Sequence, residues 1–114
     1  MDIRRIQPRN WNSRAVVYGN TAYFSGIVAD DKSGTMAEQT ADILNKIDAL
    51  LADVGSNKSR VLSAVVHLAD MDRKDEMNES WIAWMDPDNP PARAAVGSEL
   101  TPGTLVEIMI TAAV

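Results

Sequence analysis

Residues 36–54 read MAEQTADILNKIDALLADV. Met36, Thr40, Leu44, Ile47, Leu51 and Val54 recur at alternating steps of four and three, which places them on one side of a helix. Ile43 and Leu50 widen that side, and Gly55 supplies the stop. A stripe this broad has to be covered by something flat and apolar, and the flanking runs offer a sheet.

The runs RAVVYGN (14–20) and TAYFSGIVA (21–29) are β-branched and aromatic, with Gly19 and Asn20 as a tight turn between them, and they read as a hairpin. IRRIQP (3–8) reads as a short edge strand closed by Pro8. VLSAVVHLA (61–69) alternates little, as expected of a central strand. Asp70 or Asp72 can cap a second helix over 72–85, with Met77, Trp81 and Trp84 along one side and DPDNPP (86–91) ending it. ARAAVGS (92–98) and LVEIMITAAV (105–114) complete the set. The expected order is β-β-β-α-β-α-β-β. It implies an α+β chain with one domain over 1–114, a six-stranded mixed sheet, and both helices on one face.

Side chains alternate across a strand. In the last strand Val106, Ile108, Ile110, Ala112 and Val114 form an apolar set that should lie under the helices, which turns Glu107 to the other face. The same test on 92–98 makes Ala92, Ala94 and Val96 the core set, with Arg93 on the helix-free face beside Glu107. That face also carries Leu105, Met109 and Ala113. It is too apolar to stay wet, and further copies of the chain are expected to cover it. On pattern alone the pair reads more readily as a structural salt bridge, across the sheet or across an interface, than as a carboxylate-binding arginine beside a working glutamate.

With no cysteine, the chain has no disulfide, thiolate nucleophile, thiolate zinc site or iron–sulfur cluster. One histidine rules out a multi-histidine metal site within a chain. His67 lies in an apolar run and reads as a packed, hydrogen-bonded side chain. The formal charge of −5 disfavours polyanion binding, and RRIQPR is the sole basic cluster, so no nucleic-acid partner is expected. No stretch reaches the roughly 20 apolar residues of a membrane helix, and the polar start lacks the apolar core of a signal peptide. A cytoplasmic protein is expected. Asp30, Asp31, Asp86 and Asp88 read as turn residues. Asn78 reads as a tie to a loop near Arg93. Ser25 suits a backbone contact as well as a ligand.

VVYGNTAYFSG, QTADILNKIDALLADVG, Asn78 in the second helix, PPAR and a late VEI occur in that order. The chain resembles the RidA family (YjgF-type, also called L-PSP endoribonuclease) over roughly residues 14–114. The resemblance implies a chorismate-mutase-like subunit, a homotrimer closing its sheets into a barrel, and clefts between subunits. It implies hydrolysis of enamines and imines such as 2-iminopropanoate to 2-oxo acids and ammonia, with no cofactor and no metal. Arg93 falls on the carboxylate-binding arginine and Glu107 on the water-handling glutamate. Ser25, Gly26, Asn78 and Trp81 fall on substrate-binding positions.

The chain departs from that pattern at three places. Ile27 stands where glutamine is common, which implies a more apolar cleft mouth. Ala95, another pocket position, stands where cysteine is common. Trp11 or Asn12 falls near the place of an upstream tyrosine. Two other functions stay in view: a non-catalytic trimer binding a small carboxylate, and the ribonuclease of the family's other name. The ribonuclease is disfavoured by acidity and by the lack of a histidine pair.

Overall fold

The computed structural model describes residues 1–114. The long amphipathic stretch forms α1, Met36–Asp53. It begins with a capping box: Glu38 N donates to Thr35 Oγ1 at 3.1 Å and Thr35 N donates to the Glu38 carboxylate at 2.9 Å. It ends in a Schellman turn, with Gly55 N donating to Ala52 O at 3.0 Å and Ser56 N to Leu51 O at 2.9 Å. Gly55 takes φ +78°, a conformation glycine adopts without steric cost. Every residue of the predicted stripe is buried.

The strands are β1 (Ile3–Pro8), β2 (Ser13–Tyr18), β3 (Thr21–Phe24), β4 (Ile27–Val28), β5 (Val61–Leu68), β6 (Ala92–Gly97) and β7 (Val106–Ala113), and the second helix is α2 (Lys74–Trp84). A short 3₁₀ turn, Met71–Arg73, precedes α2, and Asp70 caps it by accepting from Asp72 N at 3.0 Å. The sheet order is β1-β2-β3-β7-β5-β6, with the two-residue β4 beside β7. Only β5 and β6 are parallel; the other pairs are antiparallel. Both helices pack on one face of this mixed sheet, as expected. The two-residue β4 is an addition, made where Ser25 and Gly26 interrupt the run from Thr21 to Val28.

The core lies between helices and sheet. Val106, Ile108, Ile110 and Ala112 join Ala15, Val17, Ala22, Phe24, Ala64, Val66 and Leu68 beneath α1 and α2. The other face of β7 carries Glu107, Met109, Thr111 and Ala113, so Glu107 points where the alternation put it. Tyr18, Tyr23, Val96 and Met109 leave this helix-free face apolar and exposed.

The expected orientation of β6 is overturned. Parallel pairing sets Arg93 opposite Ala64 and Ala95 opposite Val66, and both partners are buried beneath the helices. Arg93 and Ala95 therefore face the helix layer. Ala92, Ala94 and Val96 are the exposed set. Ile27, expected to make the cleft mouth more apolar, lines no mouth: it is fully buried, in register with Ile108.

Candidate functional site

The sequence-predicted residues separate into two groups. The first lies on the helix-free face where β3 breaks into β4. Glu107 is in register with Val28 of β4 and with His67 of β5. Its carboxylate rests on Gly26, where an added Cβ would come within 2.6 Å of Oε2 and 2.9 Å of Cδ. Only glycine leaves that space. Ser25 is held by its backbone, N donating to Arg14 O at 2.9 Å, while its Oγ is buried with no hydrogen-bond partner. A buried hydroxyl without a partner forfeits its hydration, a cost that a water, a ligand or a neighbouring subunit would offset.

The second group lies on the opposite face, at the β6 edge under α2. The Arg93 guanidinium sits 5.2 Å above the Trp81 ring centroid, and its Nη1 donates to Met77 Sδ at 3.7 Å. Met77 and Trp81 are one helical turn apart and are both buried. Trp81 packs against Trp84 at 5.5 Å, and Trp84 Nε1 donates to the Asp48 carboxylate at 3.0 Å. Burial lowers the Arg93 pKa from its ordinary value, and no carboxylate opposes that shift. The ion pairs of the chain are Lys46–Asp30 and Arg73–Glu76. The salt bridge between Arg93 and Glu107 that pattern favoured is therefore absent within the chain. Asn78 shares this part of α2, three residues before Trp81. Its Oδ1 is buried without a partner, so it ties no loop, contrary to expectation. A depression of about 250 Å³ opens beside Arg93, bordered by Ser63, Ala64, Val65, Ala92 and Ala94.

Arg93 and Glu107 cannot meet on one small molecule within a single chain. They are two strands and three register positions apart. At about 4.8 Å per strand and 3.3 Å per residue, their Cα atoms are roughly 14 Å apart. Their side chains also leave opposite faces. What each group offers separately is plain: a fixed cation with free in-plane donors, and a carboxylate packed on Gly26, whose neighbour in sequence, Ser25, carries an unpaired hydroxyl.

His67 does what its apolar strand suggested, with Nδ1 2.7 Å from Ser98 Oγ. Trp11 is exposed at the β1–β2 turn with the Arg9 guanidinium 4.9 Å over its ring. Asp30 pairs with Lys46, whose ammonium holds the Asp30 carboxyl below its usual value. Nothing in the sequence singles out the thioether under Arg93: Met77 is legible only as part of an apolar stripe, because no local pattern tells which strand crosses above it. No helix is long and apolar enough to cross a membrane.

Comparison with known proteins gives the lineage. The family model described as endoribonuclease L-PSP matches residues 3–114. A RutC family protein of Haemophilus ducreyi is 43% identical over 98% of this chain and 97% of its own length. The RutC family protein YoaB of Escherichia coli K12 is 41% identical over the full length of both. A YjgF family member from Neisseria meningitidis has a crystal structure that superposes with a TM-score of 0.95, at 45% identity over 99% of this chain and 95% of that one. With the family model spanning nearly every residue and relatives this similar over their whole length, the chain belongs to the endoribonuclease L-PSP family, whose members also carry the RutC and YjgF names.

Proposed function

We propose that this protein hydrolyses small imines and enamines bearing a carboxylate, of the 2-iminopropanoate type, to 2-oxo acids and ammonia. Identical subunits, three to a ring as the family resemblance implies, bring the β6 edge of one chain against the helix-free face of the next. Each cleft then combines Arg93, Asn78 and Ala95 from one chain with Glu107, Ser25 and Gly26 from its neighbour. The observation that carries this reading is complementary incompleteness: a half-buried guanidinium with no carboxylate, and a carboxylate packed on Gly26, next in sequence to a buried hydroxyl with no partner.

The chemistry needs no more than these groups. Arg93 takes the substrate carboxylate through two charge-assisted hydrogen bonds, which fixes the imine carbon in place. Glu107 orients a water and accepts its proton as the oxygen bonds to the iminium carbon and the C=N π pair moves to nitrogen. The resulting amino-alcohol is protonated on nitrogen by Glu107. Glu107, a carboxylate again, takes the hydroxyl proton as the C=O bond forms, the C–N bond breaks and ammonia leaves the 2-oxo acid. Ser25 Oγ and Asn78 Oδ1 suit polar contacts to the amino group or the water.

The test is a coupled assay. An enzyme that releases 2-aminoacrylate is mixed with this protein and keto-acid formation is followed. Wild type accelerates release, and Arg93→Ala loses at least about a hundredfold of that acceleration. No acceleration by the intact wild-type assembly overturns the reading. If Arg93-dependent binding of 2-oxobutanoate persists without acceleration, the protein is a carboxylate-binding oligomer rather than a hydrolase. The ribonuclease of the family name finds less support: α1 and α2 carry seven carboxylates against two lysines, and the one histidine is bonded to Ser98.

A further inference from the structure

Arg93 is held unlike the salt-bridged cations of the chain, and unlike Arg9, which lies over the exposed Trp11, it is held by buried groups. Lys46 and Arg73 each meet a carboxylate, at 2.8 Å and 2.7 Å. Arg93 is held by a thioether and an indole face instead. Both holders are rigid. Met77 is fully buried, and Trp81 is buried and backed by Trp84, whose own indole N–H is tied to Asp48 on α1.

A carboxylate in that position would also fix the side chain, but it would cancel its charge and occupy its bidentate edge. A sulfur lone pair and a π face attract a guanidinium without doing either. They also exclude water from one side of it, and that desolvation lowers the Arg93 pKa in the absence of any anion.

We propose that Met77 and Trp81 are positioning residues: an uncharged clamp that orients Arg93 while leaving its full charge and free edge for one carboxylate-bearing ligand. The inference deepens the proposed function and rests on Arg93 being the anion-binding group. It assigns Trp81 a place beneath the arginine rather than against the substrate. It also makes the site selective for anionic over neutral ligands of the same size.

The test uses the assembled protein, isothermal titration with 2-oxobutanoate, and the uncharged ketone 2-butanone as the control. Thermal melting shows that each variant is folded. Met77→Leu keeps volume and apolarity and loses the sulfur acceptor, and Trp81→Phe keeps a π face while Trp81→Leu removes it. Expected affinities for 2-oxobutanoate fall by about threefold in Met77→Leu and about tenfold in Trp81→Leu, with Trp81→Phe between Trp81→Leu and wild type. Binding of 2-butanone, weak throughout, stays unchanged. In the coupled assay the loss appears in KM and leaves kcat nearly unaltered. The Nε–H signal of Arg93, shifted by the Trp81 ring in wild type, moves toward the free-arginine position in Trp81→Leu.

If Arg93→Ala abolishes 2-oxobutanoate binding while Met77→Leu and Trp81→Leu bind like wild type, the clamp is wrong and the anion-binding role of Arg93 stands. If Arg93→Ala binds as well as wild type, the proposed site is wrong. The clamp, which depends on that role of Arg93, falls with it.

Discussion

Gly26 shows how much one hydrogen atom can decide. Its φ lies outside the left-handed region, so backbone freedom is not what requires glycine. The requirement is space, since a methyl group there would overlap the Glu107 carboxylate. Gly26→Ala is expected to displace that carboxylate and to cut keto-acid release at least about tenfold, with little change in melting temperature. An unchanged rate would separate Glu107 from the chemistry. At this scale Glu107 was legible and Arg93 was not. Glu107 lies in a strand whose alternate residues are Val, Ile, Ile and Ala against a mixed set, a clear contrast. Arg93 lies among alanines, which suit either face. What orients it is the register with Ala64 and the indole below, and both are contacts between segments distant in sequence.

Elements were legible where side chains repeat with a period and obscure where one polar residue ties several segments. α1 announced itself by its stripe and by Gly55, and the T-x-x-E of its capping box stands openly at residues 35–38. Gln39 did not. It is buried, its amide donates to the carbonyls of Gly34 at 3.2 Å and Gly103 at 3.0 Å, and its carbonyl accepts from Leu105 N at 3.0 Å. It thereby ties α1 to the entry of β7, the strand that carries Glu107. Gln39→Ala is expected to cost about 2–4 kcal/mol in chemical denaturation, because these backbone groups, and the Lys32 carbonyl at 3.4 Å, lose their partner. A cost below about 0.5 kcal/mol would mean that those groups find other partners. A second tie responds to pH. Asp86 accepts from Ser59 Oγ at 2.6 Å, and this bond, then those from Asn89 and Asp88 N, hold its carboxyl below the ordinary value. A carboxyl depressed on folding contributes stability above its unfolded pKa of about 3.9 and loses it as pH falls through the folded value. Ser59→Ala should therefore be less stable than wild type at pH 7, with the difference vanishing in acid. A difference constant from pH 7 to pH 2 would contradict this origin.

At the scale of the molecule, the helix face and the sheet face call for different surroundings. The helices carry most of the acidic excess and suit water. The helix-free face exposes Tyr18, Tyr23, Val96 and Met109 and suits another protein surface. Met109→Glu is expected to leave the subunit folded and to shift sedimentation from a trimer to a monomer, with loss of turnover. A trimer that survives it would move the seam elsewhere. The apolarity of this face was legible in the sequence. The proposed division of labour between chains was not, because it follows from Arg93 and Glu107 leaving the sheet on opposite sides, and that depends on the pairing of β6. The most direct measurement follows from the division. Arg93→Ala and Glu107→Gln subunits, each inactive alone, are unfolded together in equal amounts, refolded, and shown by native mass spectrometry to share trimers. If each cleft takes its arginine from one chain and its glutamate from the next, about a quarter of the clefts regain both groups and activity returns to about that fraction of wild type. Mixed trimers as inactive as their parents would contradict the account.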